Sequence, residues 1–361
     1  MNKIISAVKK IESGNPDKDA LLYLFSTNED IDILFSAAYE VKERYVGKKV
    51  YLRGLIEFSN ICKKNCYYCG IRRDNHKIKR YSMNKEEILE SAIFAYKSGF
   101  GSIVLQSGER DDRDFINNLV EVIKEIKSIT NNELGITLCV GEEKRDDYEK
   151  LFEAGAHRYL LRIETSNEDL YKKIHPEDHS FYNRVECIKM LKNIGYQTGT
   201  GVMIGLPFQT IDDLVSDIVF FVENDIDMIG MGPYIEHKDT PLFKYNSKFT
   251  LKERFELTLK MIAIMRILMK DINIASTTAL QAIDPAGREK GILAGANVIM
   301  PNITPLKYRE DYRLYENKPC INENSEDCKD CVLNRIKMIG ESVALNSLGD
   351  PIHYYRRNKE S

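Results

Sequence analysis

Cys62, Cys66 and Cys69 lie in the run Asn60-Ile-Cys-Lys-Lys-Asn-Cys-Tyr-Tyr-Cys-Gly70, which sets three thiols on one short loop with the spacing C-x3-C-x2-C. A thiolate is a strong ligand for iron or zinc, and a loop this short turns all three sulfurs toward one point. The count is informative. A cubane iron–sulfur cluster takes one protein ligand per iron, and cysteine is its usual source. Three ligands leave one iron open to a small molecule. A structural zinc ion would want four closed ligands, with His76 available as the fourth. Burial of cysteines as small hydrophobes is a third reading. It explains neither the spacing nor the Lys63-Lys64-Asn65 interior of the loop.

Tyr68 just before the last cysteine completes C-x3-C-x-Φ-C, a pattern that resembles the radical S-adenosylmethionine (SAM) superfamily. The resemblance implies a [4Fe–4S] cluster on Cys62, Cys66 and Cys69 whose open iron is chelated by the amine and carboxylate of SAM. One electron from the cluster then releases a 5′-deoxyadenosyl radical.

The elements that must carry this loop are written in alternation. From about residue 50, β-rich runs exchange with longer helical ones, the signal of βα units and a parallel sheet. The strands expected are 50–58, 102–106, 135–140, 159–163, 197–204, 228–231, 273–276 and 297–300. The helices between them are expected at 85–97, 115–128, 146–154, 184–193, 211–224, 251–270 and 288–293. Eight such units make a (β/α)8 barrel. Gly99, Gly155, Gly195 and Gly295 stand where helix C-termini need them. Ser82-Met-Asn-Lys-Glu-Glu87 and Thr210-Ile-Asp-Asp213 offer caps followed by first-turn acids. The expected division is an N-terminal helical extension over 1–49, the barrel over 50–301, and a C-terminal extension over 302–361 with little periodicity.

Composition narrows the class further. The 361 residues are 43% hydrophobic and 30% charged with net charge −3, which fits a soluble globular protein without a basic footprint for nucleic acid. Met261 to Met269 is the longest greasy stretch; Arg266 interrupts it and it is too short to span a bilayer. The first ten residues hold no signal-peptide core, and eight cysteines in such a chain point to metal or redox chemistry in a reducing cytoplasm.

In a parallel barrel the chemistry sits where strands end. The first expected strand runs into the three-cysteine loop. The second ends Leu105-Gln-Ser-Gly-Glu109, which resembles the superfamily's Gly-Gly-Glu motif for the SAM amine, with Ser107 in place of the first glycine. Strict alternation along Arg158-Tyr-Leu-Leu-Arg-Ile-Glu-Thr165 sets Arg158, Leu160, Arg162 and Glu164 on one face. Charges facing a barrel interior are costly unless they pair with each other or with a charged ligand. Gly199-Thr-Gly-Val-Met-Ile-Gly-Leu-Pro207 marks close approach of backbone or ligand, and Met231-Gly-Pro-Tyr234 and Ser276-Thr-Thr278 close two further strands.

Across nearly its full length the chain resembles the HydE family, the radical SAM maturases of [FeFe]-hydrogenase. The runs that carry this include Val50–Asp74, Arg158–Thr165, Gln197–Thr210, Asp227–Tyr234, Thr277-Thr-Ala-Leu, Gly287-Arg-Glu and Gly295-Ala-Asn-Val-Ile-Met-Pro-Asn302. The resemblance implies Arg184 on the SAM carboxylate and Glu164 on its nucleoside end. Cys139, Tyr68, Ser107 and Glu109 would also line the cofactor site. It implies a substrate cavity lined by Arg162, Met228, Thr277, Thr278 and Tyr308. The implied substrate is a small organometallic complex of iron with CO, cyanide and cysteine. The implied partners are the tyrosine lyase HydG, the GTPase scaffold HydF and a low-potential electron donor, with no nucleic acid and no membrane.

Cys320, Cys328 and Cys331, spaced C-x7-C-x2-C, form a second triad. By the same resemblance it would hold an auxiliary cluster, [2Fe–2S] or [4Fe–4S], with a vestigial metal site as the alternative. Cys187, flanked by Val185 and Ile188, reads as core. Biotin synthase and methylornithine synthase share the barrel and first motif and supply the runner-up activity. A cluster carrier without radical chemistry is the reading from another class.

Overall fold

A computed structural model describes residues 2–112, 114–322 and 325–360, leaving out the side chains of 325–328 and 360. Three helices come first: α1 (Lys3–Glu12), α2 (Lys18–Ser26) and α3 (Ile31–Tyr45). The alternation then begins with β1 (Lys49–Ser59), α4 (Lys85–Lys97), β2 (Ser102–Ser107), α5 (Phe115–Ile129) and β3 (Gly135–Cys139). It continues through α6 (Arg145–Glu153), β4 (Arg158–Leu160), α7 (Glu168–Ile174), α8 (Phe181–Ile194), β5 (Gln197–Thr200) and β6 (Met203–Ile204). After α9 (Ile211–Glu223) come β7 (Met228–Pro233), α10 (Leu251–Leu268), β8 (Asn273–Ser276), α11 (Thr278–Ile283), α12 (Gly287–Leu293) and β9 (Val298–Ile299). The chain ends with α13 (Leu306–Arg309), α14 (Ser325–Met338), β10 (Ser342–Ala344) and α15 (Ile352–Glu360).

Every strand pairing is parallel, in the order β1-β2-β3-β4-β5-β7-β8-β9, and β9 returns to β1 through Tyr51↔Val298 and Leu52↔Ile299. The expected eight-stranded barrel is therefore closed. β10 adds to the outside edge of β1, opposite Lys49–Tyr51. The expected fifth strand is two, β5 and β6, and Gly201 between them lies so close to the next strand that a Cβ there would sit 1.9 Å from the Gly230 carbonyl. β4 is three residues long, and Glu164 beyond it takes a left-handed φ of 66° that ends the alternation. Among the described residues no helix is long and apolar enough to cross a membrane.

Two capping boxes fix helix starts as expected. Asn84 and Glu87 exchange side-chain-to-backbone bonds at α4, and Thr210 and Asp213 do so at α9. Aliphatic side chains between strands and helices form a main core, which extends into α1–α3, and Leu170, Ile174, Leu206, Tyr234 and Leu242 form a second, small cluster.

The C-terminal extension departs from expectation. It is structured, and its order comes from buried polar contacts that hydrophobic periodicity cannot register. Lys42 on α3 and Glu341 before β10 are both wholly buried and meet at 2.7 Å, with Tyr39 donating to the other carboxylate oxygen. Below the barrel, the Gly349 carbonyl accepts from Arg53 and Asn273, and Asp350 pairs with the buried Arg158. His353 on α15 bonds Asp225 at 2.7 Å and Asp271 at 3.2 Å.

Burial works against charge on His353, but the two aspartates outweigh it and raise its pKa from 6.5 to about 9. The folded-state pKa exceeds the unfolded one. The stabilisation is therefore full below about pH 6.5 and is lost as pH rises through 9. His353→Gln is expected to lower the midpoint of urea unfolding at pH 6, and to lower it much less at pH 9.5. A gap that stays constant across that range would remove His353 as the cause.

Candidate active site

β1 delivers the cysteine loop to the barrel mouth, and the loop is heavily braced. Arg80 gives its guanidinium to five backbone carbonyls, those of Asn60, Ile71, Arg72, Arg73 and Asn75, at 2.6–3.2 Å. Asn60 binds the Lys79 and Asp311 carbonyls and accepts from the Tyr81 amide. The Lys63 amide donates to the Glu109 carbonyl at 2.7 Å, tying the loop to the end of β2. Gly108 is required at that joint, since a Cβ would stand 2.3 Å from the Ile61 carbonyl.

Cys62, Cys66 and Cys69 are all half-buried. Burial pushes their thiols up, Cys66 to about 12, so a metal is needed to hold them as thiolates at neutral pH. Among the described residues, the only Cys/His/Asp/Glu set with ligand atoms within 4.8 Å of one another is Cys66, His175 and His179. At least one pair of the three sulfurs therefore lies more than 4.8 Å apart, wider than a single-ion thiolate site. His76 is exposed and does not join them.

Beside this loop lies a buried knot of charge. Arg184, on the first turn of α8, sets Nε 2.7 Å from Glu142 Oε1 and Nη2 3.8 Å from Glu109 Oε2. Lys64 reaches Glu142 at 3.0 Å and Glu109 at 3.4 Å. Burial disfavours the Glu142 carboxylate, yet Arg184 and Lys64 hold its pKa below the ordinary value. Glu142 Oε1 and Arg184 Nε face each other at 2.7 Å without hydrogen-bond alignment, and Glu109 Oε1 is held only by Lys63 and Lys64 at 3.6 and 3.4 Å. Buried groups left this way fit a zwitterionic ligand that supplies one ammonium and one carboxylate.

At the end of β4, Arg162 and Glu164 pair side by side at 2.9–3.1 Å through three N···O contacts. The two charges pair with each other, one of the arrangements expected of buried charge, although the left-handed backbone of Glu164 lies outside strict alternation. Its amide donates to Gly201 and its carbonyl accepts from Met203, which lock this conformation in place. Such strain clusters at working sites. Cys139 ends β3 within electrostatic range of both residues, and burial raises its thiol to about 11. Ser107 is buried, and its hydroxyl donates to the Gly108 carbonyl. Tyr68 hydrogen-bonds His175 at 3.1 Å.

The expected cavity residues divide. Thr277 donates to the Met231 carbonyl at the upper end of β8, facing Gly232, and Thr278 opens α11 beside it. Met228 begins β7, at the opposite end of the barrel, where it accepts from Arg53 over a cavity of about 30 Å³. Tyr308 does not enter the barrel. It lies on the single turn of α13, stacks on Tyr81 and donates to Glu87 of α4.

The tyrosine that turns inward is Tyr312, fully buried and bonded to Gln106 of β2. Next to it Lys318 drops from the extension onto Glu57 of β1 at 2.5 Å, and Asn302 holds the other oxygen of Glu57. Gln106, Glu57, Lys318 and Tyr312 were not singled out in sequence. Alternation from Arg53 to Glu57 carried the signal for one of them.

Cys320 stands 3.7 Å from Arg288 at the edge of a cleft of about 610 Å³ that Lys318 also lines, and Cys331 is exposed on α14. The side chain of Cys328 lies outside the described residues. Cys187 is buried in the core, as expected.

A closed parallel barrel with a three-thiol loop at its mouth is the architecture of a radical SAM enzyme. The family model described as the Radical SAM superfamily matches residues 56–221. The chain is 48% identical to the [FeFe] hydrogenase maturase subunit HydE of Thermotoga maritima, over 92% of this chain and 93% of that one. It is 28% identical to the 3-methylornithine synthase of Methanosarcina acetivorans, over 93% of this chain and 92% of that one. The crystal structure of methylornithine synthase superimposes with a TM-score of 0.80 at 26% identity, covering 94% of this chain and 98% of that one. The chain belongs to the HydE family.

Proposed function

We propose that this protein performs the HydE step of [FeFe]-hydrogenase maturation, using SAM to act on a cysteine-bound iron complex that carries CO and cyanide. The observation that carries this reading is the buried knot of Arg184, Lys64, Glu109 and Glu142 abutting the three-thiol loop, in a chain 48% identical to a HydE. Cys62, Cys66 and Cys69 would hold a [4Fe–4S] cluster, which would supply the one-electron reduction needed for cleavage of SAM.

The chain's own residues bind and orient. Arg184 takes the SAM carboxylate, Glu109 its ammonium, and Glu164, steadied by Arg162, the ribose hydroxyls. Tyr68, Ser107 and Cys139 complete the walls. Arg162, Thr277, Thr278, Tyr312 and Lys318 line the space beyond, with Arg162 and Lys318 each held by a carboxylate, Glu164 and Glu57. The extension crosses the mouth through Gly70–Leu314 and Glu236–Glu316 backbone bonds and screens the reacting atoms from water. HydG and HydF are the proposed partner maturases, with a low-potential protein as electron donor. Cys320, Cys328 and Cys331 are proposed to hold an auxiliary cluster that is dispensable for SAM cleavage, since the triad belongs to the extension and not to the strand ends.

Anaerobic reconstitution tests the assignment. The chain is expected to yield 5′-deoxyadenosine and methionine from SAM, and to replace HydE in activating apo-hydrogenase alongside HydG and HydF. A Cys320→Ala/Cys328→Ala/Cys331→Ala variant is expected to lose the second cluster's signal yet keep both activities. Conversion of lysine to 3-methylornithine, without maturation, would move the chain to the runner-up activity. A folded triple variant with one cluster and no SAM cleavage would end the proposed division of labour.

A further inference from the structure

His175 and His179 flank Pro176 between α7 and α8, and both are buried, at 3% and 6% exposure. A buried imidazole must satisfy both ring nitrogens, and its neighbours then dictate which one carries the proton. His175 Nδ1 lies 3.0 Å from the Tyr171 carbonyl, which can only accept, so that nitrogen is protonated. Nε2 is thus the acceptor for the Tyr68 hydroxyl at 3.1 Å.

His179 is constrained from the other side. The Asn65 backbone N–H, which can only donate, points at its Nε2 at 3.3 Å. The Asp178 carboxylate stands 3.7 Å from the same nitrogen, beyond hydrogen-bond reach, so a neutral ring carries its proton on Nδ1. Nδ1 lies 3.9 Å from Cys66 Sγ, within reach of an N–H···S hydrogen bond. Asn65 and Cys66 are adjacent in the chain, so one loop segment presents both a donor and an acceptor to one ring. The same assignment disfavours a lone ion on Cys66, His175 and His179. Tyr68 already occupies His175 Nε2, and His179 Nδ1 would have to give up its proton.

We infer that His179 is a positioning residue that donates Nδ1–H to the Cys66 sulfur and thereby makes the cluster on the three-thiol loop easier to reduce. This rests on the cluster assignment above. Hydrogen bonds to ligand sulfur draw off negative charge, and the reduced cluster carries one charge more than the oxidised one, so the bond favours reduction. His175 acts in parallel by fixing the hydroxyl of Tyr68, the aromatic residue of the cysteine motif.

The test is a redox titration of the reconstituted full-length protein without SAM, read by electron paramagnetic resonance of the reduced cluster. At the potential that half-reduces the wild type, His179→Ala is expected to lower the reduced-to-oxidised ratio by at least about threefold. Iron content should be unchanged. His179→Gln should recover most of the ratio, because its amide presents an acceptor and a donor across one carbon as the imidazole does. A wild-type sample with ¹⁵N-histidine needs no variant: an exchangeable proton and a ¹⁵N coupled to the reduced cluster are expected. Full iron with an unmoved or raised ratio in His179→Ala would overturn the inference, as would the absence of that coupling. Failure of the cluster assignment would look different, since Cys66→Ala would then keep the wild-type cluster signal.

Discussion

Alanine at Cys62, Cys66 or Cys69 is expected to reduce SAM cleavage to the buffer background, and hydrogenase activation with it. Each sulfur is assigned one iron, and no spare ligand stands by. The two histidines near Cys66 have both ring nitrogens engaged, by the Tyr171 carbonyl and Tyr68 hydroxyl in one case and by Asn65 and Cys66 in the other. The brace around the loop survives substitution, because Arg80 binds backbone carbonyls and none of its bonds involves a cysteine side chain. Loss of activity can therefore be separated from loss of fold. The variants should unfold cooperatively and near the wild-type midpoint in the metal-free state, yet fail to develop the cluster's absorption on reconstitution. Reductive SAM cleavage retained by Cys66→Ala under strict anaerobiosis would sink the assignment.

The sequence disclosed the barrel and the three-cysteine loop because both rest on local rules. The bounds of α4 are those expected, fixed by the Asn84–Glu87 capping box and by Gly99 in left-handed conformation. β8 also matches residue for residue. The cysteine spacing needs no tertiary information. Expectation failed where the decisive contact is distant in sequence. Tyr308 and Tyr312 are four apart in a tyrosine-rich stretch, and only Glu87 outside the barrel and Gln106 within it sort one from the other. The extension reads as aperiodic because its anchors are buried ions, Glu341 on Lys42 and His353 on two aspartates. Glu164 faces the site through a backbone conformation that alternation does not foresee. The roles of His175 and His179 depend on which nitrogen is protonated, a property that exists only once Tyr171, Tyr68, Asn65 and Cys66 surround them.

Arg184→Ala is expected to weaken SAM binding by roughly 30-fold to several thousandfold, the equivalent of ~2–5 kcal/mol for losing a buried, charge-assisted contact. The surroundings argue for the upper part of that range. Without Arg184, Glu109 and Glu142 would face the pocket with Lys64 as their principal remaining counter-ion. Glu142, held ionised chiefly by Arg184 against burial, would then titrate upward. While it stayed ionised it would repel the SAM carboxylate that Arg184 had drawn in. Arg184→Lys should restore only part of the affinity, because a point charge on a shorter reach cannot offer two parallel N–H bonds to one carboxylate. The cysteine loop makes no hydrogen bond with Arg184, so the iron content and spectrum of the cluster should persist in both variants. Glu164→Ala should also weaken binding, by a neutral route at the nucleoside end, while leaving Arg162 free to swing into the cavity. Calorimetric titration of SAM into the reconstituted variants measures each effect directly. Unchanged affinity in Arg184→Ala and Glu164→Ala together would place the SAM pocket elsewhere, while a loss confined to Arg184 would leave the amino-acid end correctly assigned and the nucleoside end open.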